Sequence, residues 1–187
     1  MADVSGVPTQ TWFPVVTLII GLVLKGFFDF LTDSRTVKRE REARSEQRRD
    51  TIHLQRVDFQ RTTLLELQES AHRLARLTVK SHLHYEAEYS KTGEWQRQQL
   101  PEGLDEDLRE AHSRVSLLRV RIRDEEARKL AEAFISSCVS VNFASSKEAA
   151  YSAFMTQMPF SHEKFQERIG IVLRNLEEDE DLVLQEK

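Results

Sequence analysis

Hydrophobic positions follow two regimes along this chain. From Trp12 to Leu31 they are nearly continuous, and from Ile52 onward they recur every three or four residues. The first regime predicts a membrane-spanning helix, because about 20 apolar residues at 1.5 Å each cross a hydrocarbon core of about 30 Å. Lys25 and Asp29 interrupt it. They lie four apart and share a helix face, so they either pair or leave Lys25 to snorkel toward an interface. Trp12 and Phe13 at one end, and Phe27, Phe28 and Phe30 at the other, suit the two interfaces. A cleaved signal peptide fits less well, since the first eleven residues hold no Lys or Arg and no Ala-x-Ala follows. An in-plane helix needs a strongly charged face, which two charges do not make. A buried soluble helix is the remaining competitor.

The second regime predicts an all-α domain. Val57, Leu64, Ala71, Thr78 and Tyr85 share one heptad position, and Gln60, Leu67, Leu74 and Ser81 share its partner. This gives a helix over 52–90. Gly93, Pro101 and Gly103 break the chain after it, and Trp95 within the break is expected to cap the end of the bundle, with a recognition residue as the alternative. Leu104, Leu108, Ala111, Val115, Leu118 and Ile122 begin a cleaner seam that continues through Ala127, Leu130, Phe134, Cys138 and Val141, so the second helix is expected over 104–142. Ser145 and Glu148 form a capping box for a third helix, 145–158, which Pro159 should stop. Ser161 should cap a fourth, 161–176, with Phe165, Ile169, Val172, Leu173 and Leu176 on its face.

The expected organisation is therefore a short outer N-terminus (1–11), a span (12–31), a charged juxtamembrane helix (32–51), a helical bundle (52–176) and an acidic tail (177–187). The bundle is expected as a long antiparallel hairpin with two shorter helices packed on its membrane-proximal half. Its distal half would then carry spare apolar surface at Leu77, Leu83, Leu117 and Val120, which is where a second copy or a protein partner is expected.

Charge sets the topology. The stretch 35–49 holds seven bases against three acids, while 177–187 holds six acids against Lys187. Bases immediately after a span place that side in the cytoplasm of a plasma membrane, with the N-terminus outside. Arg35, Lys38, Arg39 and Arg41 are the candidate contacts to anionic lipid. Glu40, Glu42 and Glu46 weaken that attraction and pair at helical spacing, Lys38 with Glu42, Glu40 with Arg44, and Glu46 with Arg49. The mixed signs and few aromatics argue against nucleic-acid binding. Within the span, Thr17, Gly21, Lys25 and Asp29 recur every four residues as a small and polar stripe suited to helix association in the membrane.

Candidate chemistry is sparse. The one cysteine, Cys138, excludes an internal disulfide and sits at a core position. Glu69-x-x-His72 matches one step of a di-iron bundle, but no second copy occurs. His82-x-His84, with Glu86 and Glu88, places its side chains on different helix faces. No phosphate loop, Gly-x-Ser-x-Gly or Cys-x-x-Cys pattern is present. The reading is of a protein that is not an enzyme and takes no cofactor, with no small-molecule substrate identified.

Trp12 to Leu31 followed by Arg35-Thr-Val-Lys-Arg-Glu-Arg-Glu-Ala-Arg44 resembles the layout of many small bacterial single-pass membrane proteins. The resemblance covers under a fifth of the chain and brings no functional residues. It implies a bacterial plasma-membrane protein. The expected function is a membrane-tethered module that self-associates or holds a partner. The rivals are a membrane-active effector, motivated by the polar stripe, and an accessory subunit of a larger membrane complex.

Overall fold

The computed structural model describes residues 9–185, with side chains described at 18–22, 24, 25, 38–181 and 183. All the secondary structure among them is helical: α1 (Thr9–Thr92), α2 (Leu104–Arg119), α3 (Glu125–Asn142), α4 (Lys147–Ser152), a π-turn (Ala153–Gln157) and α5 (Met158–Gln185). The chain divides into two units, one ending at Ile52 and one beginning at His53. Among the described residues no helix is long and apolar enough to cross a membrane. The span expected over 12–31 is thus not found, and most of its side chains lie outside the described residues.

The second unit is a four-helix bundle in up-down-up-down order. Directions follow from cross-helix pairs. Gln60 of α1 meets Arg121 and Arg123 just past α2, whereas Arg73 meets Asp107 and Glu110 nearer its start, so α1 and α2 are antiparallel. Thr78 of α1 meets Asn142 at the end of α3, which therefore runs with α1. Gln68 meets Gln166 and Arg61 meets Glu180, so α5 runs back against α1. The expected seam is the observed core. Leu64, Leu67, Ala71, Val115, Leu118, Phe134, Phe165 and Ile169 are all buried.

The expected helix over 104–142 is two helices. The chain turns at 120–124, and the turn has identifiable causes. Gln60 Nε2 donates to the Arg121 carbonyl at 3.1 Å, and Gln60 Oε1 accepts from the Arg123 amide at 2.8 Å. Asp124 then caps α3, its Oδ1 accepting from the Ala127 amide at 2.7 Å. Arg168 of α5 grips the same carboxylate with two donors, at 3.0 and 2.7 Å. Backbone groups that a helix end leaves open are satisfied here by side chains. The long hairpin with a bare distal half is replaced by four helices of which α1 is the longest.

Pro159 does not stop the chain either. A proline inside a helix lacks its N–H and crowds the carbonyl four residues back. Immediately before it the helix widens into the π-turn, where the Met158 amide donates to the Ala153 carbonyl, and helix then continues to Gln185. Ser161 is accordingly no cap: its Oγ donates to the Met158 carbonyl at 3.0 Å and hydrogen-bonds Ser137 Oγ of α3 at 2.8 Å. The cap of α4 is Ser146, one residue past the expected one, accepting from the Ala149 amide.

Replacing Asp124 with Ala removes a cap worth about 1 kcal/mol and also leaves Arg168 without its carboxylate. Urea unfolding of Asp124→Ala should show a lower midpoint by at least the cap's share. An unchanged midpoint would mean the turn is held by Gln60 alone.

Candidate interaction surfaces

Leu77 belongs to the chain's own core, 7% exposed, and is not part of a free face. Leu83, Leu117 and Val120 are exposed at 54%, 56% and 63%. They do not form one patch. Leu83 lies near the α1–α2 connection, where His84 Nε2 pairs with the Gln99 carbonyl, while Val120 lies at the opposite end beside the residues that Gln60 holds. Other uncovered apolar residues of the second unit include Phe143 at 81% and Phe160 at 64%, both of which the seam pattern passed over. Phe143 follows the last turn of α3, and Phe160 sits beside Pro159 where the π-turn shifts the helix face.

In the first unit, Lys38, Arg39 and Arg41 are exposed, as the lipid-contact reading requires, and the Arg35 side chain lies outside the described residues. Lys38 pairs with Glu42 at 4.0 Å and Arg44 with Glu40 at 3.4 Å, the expected helical spacing. Of the stripe, Gly21 and Lys25 are exposed, and a Cβ on Gly21 would meet nothing. Thr17 and Asp29 side chains lie outside the described residues.

The loop end of the bundle is lined with aromatic and polar side chains. Trp95 rests among His82, Tyr85 and Tyr89, the capping position expected of it. His82 is buried and stacked on Phe154 with ring centroids 4.3 Å apart. His84 points elsewhere, so the two histidines do not converge. Among the described residues no group of three or more His, Cys, Asp or Glu could hold a metal ion. Burial pushes the Cys138 thiol up to about 12, leaving it a protonated core residue.

One contact between distant histidines was not legible in the sequence. His72 of α1 meets His162 of α5 edge to face at 5.0 Å, and the His162 ring also touches Phe134 at 5.1 Å. Burial, together with the His72 charge, holds His162 below the ordinary histidine range. Burial likewise lowers His82, against a weaker opposing pull from Glu86. No protein-family model, curated protein or solved structure matches the chain.

The two lowered histidines fix a sign. The unfolded chain takes up their protons first as pH falls, so their contribution to stability is complete above about pH 6.5 and declines below it. Urea midpoints should fall between pH 7 and pH 5. His82→Leu and His162→Leu should each flatten that slope, and a slope that neither changes would place the acid sensitivity elsewhere.

Proposed function

We propose that the chain is a membrane-tethered helical interaction module, anchored by 12–31 and holding a second copy of itself or a protein partner at the cytoplasmic face. The observation that carries the tether is the first unit's uncovered apolar surface. Leu18, Ile19, Ile20, Leu22 and Leu24 are each 50–65% exposed. At 3.6 residues per turn they spread around the helix and do not line one stripe. A helix that is apolar on several sides needs an apolar surround, which lipid supplies. The adjoining exposed bases at 38–49 support anionic lipid contact and a cytoplasmic bundle.

Alkaline carbonate extraction of membranes from cells making the tagged full-length protein tests the tether. The wild type should stay in the pellet. Ile19→Lys with Leu22→Lys should move it to the supernatant, since each lysine costs about 2.5–3.5 kcal/mol at the centre of a span. A wild type released by carbonate alone would defeat the proposal.

Self-association is supported by Leu117 and Val120, which are large, apolar and uncovered near the 120–124 turn. Leu117→Glu with Val120→Glu should lower the sedimentation coefficient toward that of a monomer. Stability should change by no more than about 0.5 kcal/mol, because both sites are exposed. A wild type that already sediments as a monomer would remove the self-associating form of the reading.

A further inference from the structure

Six buried side-chain polar atoms among the described residues lack a hydrogen-bond partner, and four of them gather at the loop end of the bundle: Ser81 Oγ, His82 Nδ1, Trp95 Nε1 and Asn142 Oδ1. Buried polar atoms are nearly always paired, so such a concentration calls for a partner from outside the chain. Two of the four residues, Ser81 and Asn142, line a cavity of about 330 Å³. It is bounded by α1, the 93–103 connection, α2 and α3.

The wall is chiefly apolar. Leu74, Leu108, Val139 and Phe143 contribute to it, and Phe143 and Val139 stand exposed at its lip. A single water needs about 10–15 Å³ on this measure, so the space is far larger than one water and falls in the range of small-molecule pockets. Tyr85, Asp105, Arg109 and His112 also line it, but its buried polar atoms without a partner are two. Ser81 is completely buried, with a hydroxyl that either donates or accepts. The Asn142 amide turns its Nδ2 toward Thr78 Oγ1 at 3.5 Å, which leaves its oxygen open to a donor. Neither oxygen has accessible surface as its side chain stands, so a guest's donor meets one of them as that side chain turns toward the cavity.

The carboxylate and guanidinium at the cavity are already paired. Asp105 and Arg109 pair with each other at 2.6 Å, and Arg109 also holds Glu106 at 3.0 Å. The Tyr85 phenol is kept neutral, its pKa raised by burial and by Asp105. Apart from the His112 imidazole, which also lines the wall, a charged guest would find no unpaired counter-charge in a mainly apolar space. A second cavity, of about 320 Å³ between α1 and α2, makes the contrast. It is lined by Glu66, Arg73, Glu110 and Arg114, which pair across it, and none of the unpartnered atoms lies there.

We propose that the cavity at Ser81 and Asn142 is a binding site for a neutral, mainly apolar small molecule of about two-ring size that carries one hydrogen-bond donor. The apolar body lies against Leu74, Leu108 and Val139. The donor meets the Asn142 oxygen or the Ser81 hydroxyl. This site is independent of the tether, and its failure leaves the tether untouched.

The test is isothermal titration of the full-length chain with 1-naphthol, and with naphthalene as the probe lacking the donor. The chain is held in lipid nanodiscs, and the heat of empty nanodiscs is subtracted. Saturable one-site binding of 1-naphthol is expected, about tenfold tighter than naphthalene, the size of one net hydrogen bond. Ser81→Ala combined with Asn142→Ala should bring 1-naphthol down toward the naphthalene value. Val139→Trp, at an exposed position on the lip, should weaken both probes at least about tenfold without disturbing the core, as an unchanged circular dichroism melt would verify. No saturable heat, equal affinities for the two probes, or binding that Val139→Trp leaves intact would each overturn the site.

Discussion

The backbone of residues 120–124 has to find partners for the groups that α2 gives up when it ends, and Gln60 supplies them with both atoms of one amide. Everything downstream depends on that turn. With it, α3 runs back alongside α1 and the Asp124 carboxylate comes within reach of Arg168. Were α2 to continue straight through 120–124, the residues of α3 would run away from α5, which packs on them. The local sequence Val120-Arg-Ile-Arg-Asp124 holds no Gly or Pro to force the bend. The bend exists because distant side chains replace the helix's own hydrogen bonds and Asp124 restarts the next helix.

The π-turn serves the second half of the same arrangement. By widening ahead of Pro159 it lets one helical segment run on into α5 instead of ending where the ring would clash. Ser161 then becomes a bridge to Ser137 on α3, and the far end of α5 brings Glu180 to Arg61 on α1. Phe165 and Ile169 are buried in the core that α5 shares with α3, and these polar contacts fix the register.

Periodicity made the seam legible because it is a local property: the residues that repeat every three or four positions on α1, α2, α3 and α5 are the residues found inside. The turn at 120–124, the helical passage through Pro159 and the His72–His162 contact were not legible. Each depends on a partner between 24 and 90 positions away, or on a change in helix type that composition does not announce. The cavity at Ser81 was hidden for a related reason. Ser81 reads as a polar interruption of a seam, and only the fold shows that its hydroxyl sits unpaired beside Asn142, at the end of a different helix.

The leucines of α1 show how helix count decides what remains for partners. Two helices packed alone bury a narrow stripe of each other, whereas packing of α2, α3 and α5 around α1 widens its buried arc. Leu77 falls within the widened arc and is lost as a docking residue. Leu65 and Leu83 are 18 positions apart, five full turns at 3.6 residues each, so they share one outward face. Both remain about half exposed. Within the second unit that face is one apolar surface that α1 leaves free, with Phe59 exposed on another, and both are set by where the neighbouring helices leave α1 uncovered and not by where leucines occur.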